Sequence, residues 1–317
     1  MKKRIAFLSR DLGKVNRGVE THVLELSSRL SDEFDIEILT NGEADSLSKI
    51  LKQNFDLVIP TNGRLQALKT SLGRVFGGYK LLIVGHAGIG KDDIWNLLMF
   101  PDVFVALTNM QLKWAKKWSI KTRLVKIPNG VDLEKFSPIG KKAVINLESP
   151  IILSVGTLEW YKHHDLTIKA VSKMSKGSLL IIGRGLEQQK LEALGKSLLS
   201  DKRFKILNVD YDHMPEFYRA ADLFTLPSWR REAFGIVYLE AMATNLAVVA
   251  PNDSSRMEII GKAGILVNTA DINLFAQSLC EALETKWGDL PRLQAEKFSW
   301  DKIAQEYKYL FESLINQ

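Results

Sequence analysis

Short apolar runs separated by longer stretches of helical or polar character set the rhythm of this 317-residue chain. Runs at 4–8, 35–39, 57–60, 81–85, 103–107 and 123–127 read as strands, and stretches such as 18–30 and 110–118 fall between them. Parallel neighbours need a crossover, so β-rich runs that alternate with helical stretches predict a parallel sheet covered on both faces. After Pro128 to Asp132 and a polar connection through Pro138, Gly140 and Pro150, the rhythm restarts with runs at 151–155, 178–182, 204–207, 221–226 and 247–250. The prediction is an α/β fold of two doubly wound, Rossmann-like domains. Residues 1–140 form the first and 141–298 the second, and the cleft between them is the expected ligand site. The last stretch, 299–317, opens on a serine N-cap signal at Ser299 and places Ile303, Tyr307, Leu310 and Phe311 on one face, as an amphipathic helix does.

Composition supports two cores of ordinary size, with 46% of residues hydrophobic. The single cysteine, Cys280, excludes an internal disulfide and fits a reducing, cytoplasmic setting. Met1 to Ser9 combines basic residues with an apolar run too short for a signal peptide, and reads as a first strand. No run approaches the ~18 apolar residues of a membrane span.

The net charge of +6 is unevenly distributed: residues 1–140 hold 21 Lys and Arg against 15 Asp and Glu, while 141–317 hold 22 of each. The densest segment, Gln111 to Lys126, carries six cations, no acid, and Trp114 and Trp118 a helical turn apart. Such a surface can rest on an anionic membrane face, which would make the protein peripheral at the inner membrane. A solvated helix with its tryptophans in the core is the other reading. No recognised nucleic-acid-binding module accompanies the cluster, so a nucleic-acid partner is not expected.

The densest chemistry lies in Glu232-Ala-Phe-Gly-Ile-Val-Tyr-Leu-Glu240, where an apolar strand leaves through Ser228 to Arg231 and enters a helix running to about Ala243. A helix entered this way points free N–H groups and its positive dipole end outward, which suits a phosphate. Eight steps of ~1.5 Å place the two glutamates at most roughly 12 Å apart. A nucleoside diphosphate sugar has hydroxyls at both ends and charge in the middle. Glu240 could take the ribose, the helix N-terminus the diphosphate, and Glu232 the sugar. Two solvent-facing glutamates are the plain alternative, but the segment lies at a strand end, where open α/β sheets bind ligands.

Two other patterns compete. Gly85-His-Ala-Gly-Ile-Gly-Lys91 has phosphate-loop spacing, yet Asp92 follows where that motif needs Ser or Thr for Mg²⁺, and the strand before it is the fourth of its domain. Asp210-Tyr-Asp212 has metal-binding spacing, yet it precedes Met214-Pro-Glu and reads as a turn before a helix. No essential metal is expected. His22 on the first helix and His213 in a loop read as non-catalytic, and Cys280 as a core residue.

Seven segments in order resemble the retaining nucleotide-sugar glycosyltransferases of the GT-B architecture, and within them glycosyltransferase family 4. They are Gly18 to Leu26, His86, Ile127 to Pro138, Ser154 to Lys162, Ile181 to Glu187, Tyr218 to Asp222, and Glu232 to Glu240. The helix after Phe298 also resembles the family's, which crosses back to brace the first domain. The resemblance covers nearly the full length. It implies a donor substrate, no cofactor, and transfer of a hexose to a hydroxyl of a glycan or lipid-linked acceptor with the anomeric configuration retained. Glu240 would bind the ribose, and Glu232 with the backbone of Phe234, Gly235 and Ile236 the transferred sugar, with Val237 beside them. Lys162 would neutralise the diphosphate, Gly18 would bring a bare backbone N–H to it, and His86 would sit at the reacting sugar. The base would lie against Gly183, Arg184 and Gly185 and the backbone near Val209. Two departures touch donor affinity. Thr157 stands where the family usually has arginine, leaving Arg184, His163, His164 or Arg230 as replacements, and Arg17-Gly18 replaces a double glycine. A sugar-nucleotide epimerase of the same architecture and a catalytically weak nucleotide-sugar-binding homologue are the alternatives.

Overall fold

The structure is a computed structural model that describes residues 2–14 and 18–316. Arg17 therefore lies outside the described residues. The chain separates into two compact units. The first holds the chain up to Gly130, the short segment Arg231–Phe234 and the chain from Trp300 onward; the second holds Val131–Arg230 and Gly235–Ser299.

In the first unit, six parallel strands, β1 (Arg4–Ser9), β2 (Asp35–Thr40), β3 (Leu57–Pro60), β4 (Lys80–Val84), β5 (Val103–Ala106) and β6 (Arg123–Lys126), form a sheet in the order β2-β1-β3-β4-β5-β6. The central strands are buried along their length, from Ile5 to Leu8 in β1 and throughout β3 and β5, as a parallel sheet covered on both faces requires. The second unit has β7 (Ile151–Val155), β8 (Ser178–Ile182), β9 (Phe204–Leu207), β10 (Leu223–Thr225), β11 (Val248–Pro251) and β12 (Gly264–Val267) in the order β12-β11-β10-β7-β8-β9. Each sheet therefore reverses direction once, between β1 and β3 in the first and between β7 and β10 in the second. Crevices outside the carboxyl ends of such strands are where open α/β sheets take their ligands.

Eleven of the twelve strands coincide with predicted runs to within two residues at each end. The exception, β12, is a four-residue edge strand opened by Gly264, where a side chain would meet the Val248 carbonyl oxygen at 2.0 Å. The helix Trp300–Ile315 buries Trp300, Ile303, Tyr307, Leu310, Phe311 and Leu314 within the first unit. It lies along the helix Gly18–Leu30, where Arg29 pairs with Asp301 at 2.7 Å and Lys308 with Glu33 at 2.6 Å.

The basic segment departs from expectation. Its helix covers only Asn109–Ala115. Trp114 packs onto the core formed by Ala67, Leu81, Ile83 and Phe104, while Trp118 lies beyond the helix and is exposed. The two tryptophans therefore do not share one helical face.

Candidate functional site

In the second unit the chemistry gathers at the switch between β7 and β10. The turn after β7 runs through Gly156 and Thr157 into a short 3₁₀ turn, Trp160–Lys162, and ends at His163, which takes a left-handed φ of 54°. The loop after β10 is tied to it, because the Trp229 N–H donates to the Tyr161 carbonyl at 2.9 Å and the Trp229 ring lies 5.2 Å from Trp160 and 5.3 Å from Tyr161. Arg256, fully buried and paired with Asp253 at 2.8 Å, donates to the Ser228 and Trp229 carbonyls from below. Lys162 therefore stands at the carboxyl end of β7, on a backbone held from the neighbouring strand loop. Thr157 Oγ1 is buried and has no hydrogen-bond partner among the described residues.

Gly183 and Gly185 are glycine for a local reason. A side chain at Gly183 would meet the Gly156 carbonyl oxygen at 1.9 Å, and one at Gly185 the Leu158 carbonyl at 2.5 Å. The two loops cross in backbone contact, and the Leu158 N–H donates to the Arg184 carbonyl. Arg184 and Arg230 are exposed, and Val209 lies half-buried in the loop after β9. His164 does not supply the cation missing at Thr157. It is buried with Nδ1 3.1 Å from Ser154 Oγ, and burial, reinforced by nearby Lys162, pushes its pKa down to about 4.

The helix Ile236–Ala243 begins at Gly235, whose φ of 89° disfavours any residue with a Cβ. Gly235 has no side chain with which to cap that end, so the first-turn N–H groups of Ile236 and Val237 receive no acceptor from it. One turn on, Glu240 is only 5% exposed and accepts from Tyr218 Oη at 2.7 Å. Burial raises its pKa to about 7, against the lowering pull of hydrogen bonds from Tyr218 and Tyr211 and the charge of Lys135. Lys135 Nζ lies 4.1 Å from the Tyr211 ring centre and pairs with Asp212 at 2.6 Å, while Phe136 packs on both tyrosine rings. Asp212 is thus a surface partner of Lys135, and Tyr211 between the two acids is the residue turned to the site.

In the first unit, Gly18 is the exposed first residue of its helix. His86 occupies a tight turn after β4, its N–H donating to the Val84 carbonyl at 2.8 Å. Its ring meets His22 edge to face at 4.7 Å, and His22, fully buried, holds Asn129 Oδ1 at 3.0 Å through Nδ1. Burial pushes both imidazoles down, His22 to about 4 and His86 well below its ordinary value, so both are neutral near pH 7. The segment carrying Glu232 belongs to the same unit and touches the same turn: a side chain at Gly88 (φ 75°) would meet the Arg231 carbonyl oxygen at 2.3 Å and Ala233 at 3.2 Å. The phosphate-loop resemblance dissolves here. The Gly85 N–H extends the ladder to Val105, the Gly88 N–H points at the Asp93 carboxylate, and that buried acid stands where a phosphate would have to go. No group of three His, Cys, Asp or Glu side chains suited to a metal occurs among the described residues.

Residues 136–297, just over half of the chain, match the pattern of a single family, described as glycosyl transferases group 1. The chain belongs to that family. It is 29% identical over 223 residues to a D-inositol 3-phosphate glycosyltransferase of Corynebacterium urealyticum, covering 62% of this chain and 52% of that one. It is 33% identical over 194 residues to an N-acetylgalactosamine-N,N'-diacetylbacillosaminyl-diphospho-undecaprenol 4-alpha-N-acetylgalactosaminyltransferase of Campylobacter jejuni, covering 57% and 52%. The chain spans about half the length of the curated relatives it matches. The fold follows the crystal structure of HepE from Anabaena in complex with UDP, with a TM-score of 0.80, 18% identity and coverage of 98% of this chain and all of that one. The fold is thus the two-Rossmann-domain GT-B architecture.

Proposed function

We propose that this chain is a retaining glycosyltransferase that moves a hexose from a nucleoside diphosphate sugar to a hydroxyl of a glycan or lipid-linked acceptor, with no metal in the reaction. The observation that carries the reading is local to the second unit: Lys162 and the start of the helix at Gly235 follow the carboxyl ends of adjacent strands β7 and β10, and the buried carboxyl of Glu240 lies one turn into that helix. That set offers a cation and backbone N–H groups to a diphosphate and a carboxylate to ribose hydroxyls. The unpartnered Thr157 hydroxyl gives a phosphate oxygen a donor where the family's usual arginine is absent. Gly183, Arg184, Val209 and Gly235 to Val237 complete the donor contacts of this unit, and the family resemblance adds Gly18, His86, Glu232 and Phe234 from the first unit. The acceptor O–H adds to the anomeric carbon as the bond to the leaving phosphate breaks. That phosphate takes the acceptor's proton on the same face, so neutral His86 need not act as a base. UDP bound to HepE supports the donor class, and the diphospho-undecaprenol in the name of the Campylobacter jejuni relative supports a lipid-linked acceptor.

A thermal-shift panel of UDP, GDP, ADP and their common sugar conjugates tests the donor site. One nucleotide family at about 100 times its dissociation constant should stabilise the protein by ~2.7 kcal/mol. Stabilisation by ATP with Mg²⁺ alone would discard the reading. Retention is checked by the anomeric coupling in the NMR spectrum of the product.

A membrane surface enters as a second contact. No helix among the described residues is long and apolar enough to cross a membrane. The segments that precede β4, β5 and β6 lie at the amino ends of these parallel neighbours, and they present exposed Val75, Phe76, Phe100, Trp118 and Ile120 among Lys116, Lys117 and Lys121. Apolar tips ringed by cations suit an anionic bilayer face. The protein is expected to sediment with phosphatidylglycerol vesicles and not with phosphatidylcholine, and to lose this on Lys116→Glu, Lys117→Glu, Lys121→Glu triple substitution. Equal binding to both lipids, or to neither, removes the membrane from the account.

A further inference from the structure

The turn that carries His86 is gripped by two fully buried side chains that play no part in the reading above. Gln111 is pinned by its own bonds. Its Oε1 accepts the Leu107 N–H at 2.8 Å, so its Nε2 must face the other way, and there it donates to the Gly85 carbonyl at 2.6 Å and to Asp93 Oδ2 at 2.9 Å. Asp93, at the start of the helix Lys91–Leu98, accepts Asn96 Nδ2 on Oδ1 at 3.0 Å and receives the Gly88 N–H as well. Both side chains are at most 1% exposed. Gly85 and Gly88 are the two ends of the turn, and His86 and Ala87 its tip. One end is held by Gln111, the other by Asp93, and the two holders are bonded to each other. The space is fitted: a side chain at Gly85 would meet Gln111 Nε2 at 2.3 Å, and Gly88 is the seat of Arg231 and Ala233.

We propose that Asp93 and Gln111 are positioning residues that clamp the Gly85–Gly88 turn, fixing both the presentation of His86 and the seat of the segment that carries Glu232. Every group aimed at Asp93 is a donor, so the site calls for an acceptor-only side chain. Burial opposes the charge and raises the Asp93 pKa to about 7, with nearby Asp92 raising it further. A neutral amide still fits badly, because it brings an NH₂ donor to a site whose facing groups are themselves donors. In Asp93→Asn one of the two carboxylate oxygens becomes an NH₂ group, which meets a donor at Gln111 Nε2 or at Asn96 Nδ2, so one of these bonds is lost unless a neighbouring amide turns. A buried polar network holds its geometry only while every member is satisfied, and misplacement of a reacting group by about 1 Å costs on the order of a hundredfold in rate.

The inference rests on His86 belonging to the site, and the test separates the two. The assay is release of nucleoside diphosphate from UDP-glucose, GDP-mannose and ADP-glucose with water as acceptor, using the full chain. Asp93→Asn and Gln111→Met are expected to lower kcat at least tenfold with KM for the donor within about twofold, because the donor-binding groups of the second unit are untouched. In the double variant Asp93→Asn, Gln111→Glu a buried, protonated carboxyl at position 111 accepts the Leu107 N–H on one oxygen and, on the other, donates to the Gly85 carbonyl and accepts from the new amide, so each bond of the clamp again pairs a donor with an acceptor. This variant is expected to recover at least threefold over Asp93→Asn alone. If the single variants melt as the parent does and keep kcat, the clamp has no positioning role. If the swapped pair recovers stability but no kcat, the network is structural only. His86→Ala with undiminished kcat would remove the underlying reading of His86, whereas loss of kcat in His86→Ala beside unchanged Asp93 and Gln111 variants overturns the clamp alone.

Discussion

Glu240→Gln is expected to become more stable relative to the parent chain as the pH rises from about 5 to about 8, while losing nucleotide-sugar affinity by roughly ten- to a hundredfold. Both effects come from one buried carboxyl. In the folded chain its pKa is raised from 4.5 to about 7, because burial opposes ionisation more strongly than the Tyr218 and Tyr211 hydroxyls and Lys135 support it. A raised carboxyl binds more protons folded than unfolded. Its favourable contribution is therefore complete below about pH 4.5, declines as pH climbs toward 7, and is gone above that. The shift corresponds to about 3 kcal/mol at full ionisation, taken as an order of magnitude. Glutamine has no such dependence, so the difference in melting temperature should grow across the window and level off beyond it.

The binding arm works in the opposite direction. A ribose hydroxyl donates best to an ionised carboxylate, so nucleotide-sugar affinity in the parent should rise with pH up to about 7 and stay flat in the variant. A sugar-capped diphosphate is the right probe because it has no ionisation of its own in this range. Calorimetric titrations of UDP-glucose, GDP-mannose and ADP-glucose at several pH values check this. A melting difference independent of pH would show that Glu240 is ionised throughout, and unchanged affinity in the variant would take Glu240 out of the donor site.

Most of the framework is legible in the sequence, and the misses share a cause. Runs such as Ile151 to Val155 and Leu57 to Pro60 are continuous apolar segments flanked by polar turns, which is what a sheet buried on both faces demands. β12 escaped because four residues opened by a glycine give too little pattern, and only its place beside β11 makes it a strand. Glu240 was legible from its helix, but its tyrosines were not. Tyr211 and Tyr218 reach it from 29 and 22 positions away in the chain, and no local spacing encodes that meeting. In Asp210-Tyr-Asp212 attention falls on the acids, whereas the aromatic residue between them is the one that bonds to Glu240. A similar displacement occurs after the Gly85 turn. Asp92 is conspicuous as the wrong residue for a phosphate loop, yet the neighbouring Asp93 goes inside and holds the turn. Burial, which no single sequence states, decides between neighbours of identical type.

Lys162→Ala is expected to lower the rate of donor cleavage by a factor of roughly a hundred to a thousand, the usual cost of removing a fixed group that stabilises developing charge. Negative charge grows on the diphosphate as its bond to the anomeric carbon breaks, so a cation there acts more strongly on the transition state than on the bound donor. The fall should therefore appear mainly in kcat, with a smaller rise in KM. The surroundings make substitution by a neighbour ineffective. His164 is buried and neutral, and Arg184 and Arg230 are exposed side chains that would have to give up rotamer freedom to reach a phosphate. Lys162, by contrast, sits on a 3₁₀ turn whose Tyr161 carbonyl is bonded to Trp229 and whose following residue is locked in a left-handed conformation. Lys162→Arg keeps the charge but carries a planar fork in place of a compact ammonium, so it should recover only part of the loss. Steady-state release of nucleoside diphosphate measures both. A loss below about threefold in Lys162→Ala would mean that the charge is met by the helix start at Gly235 and the Thr157 hydroxyl, and that the cation is dispensable.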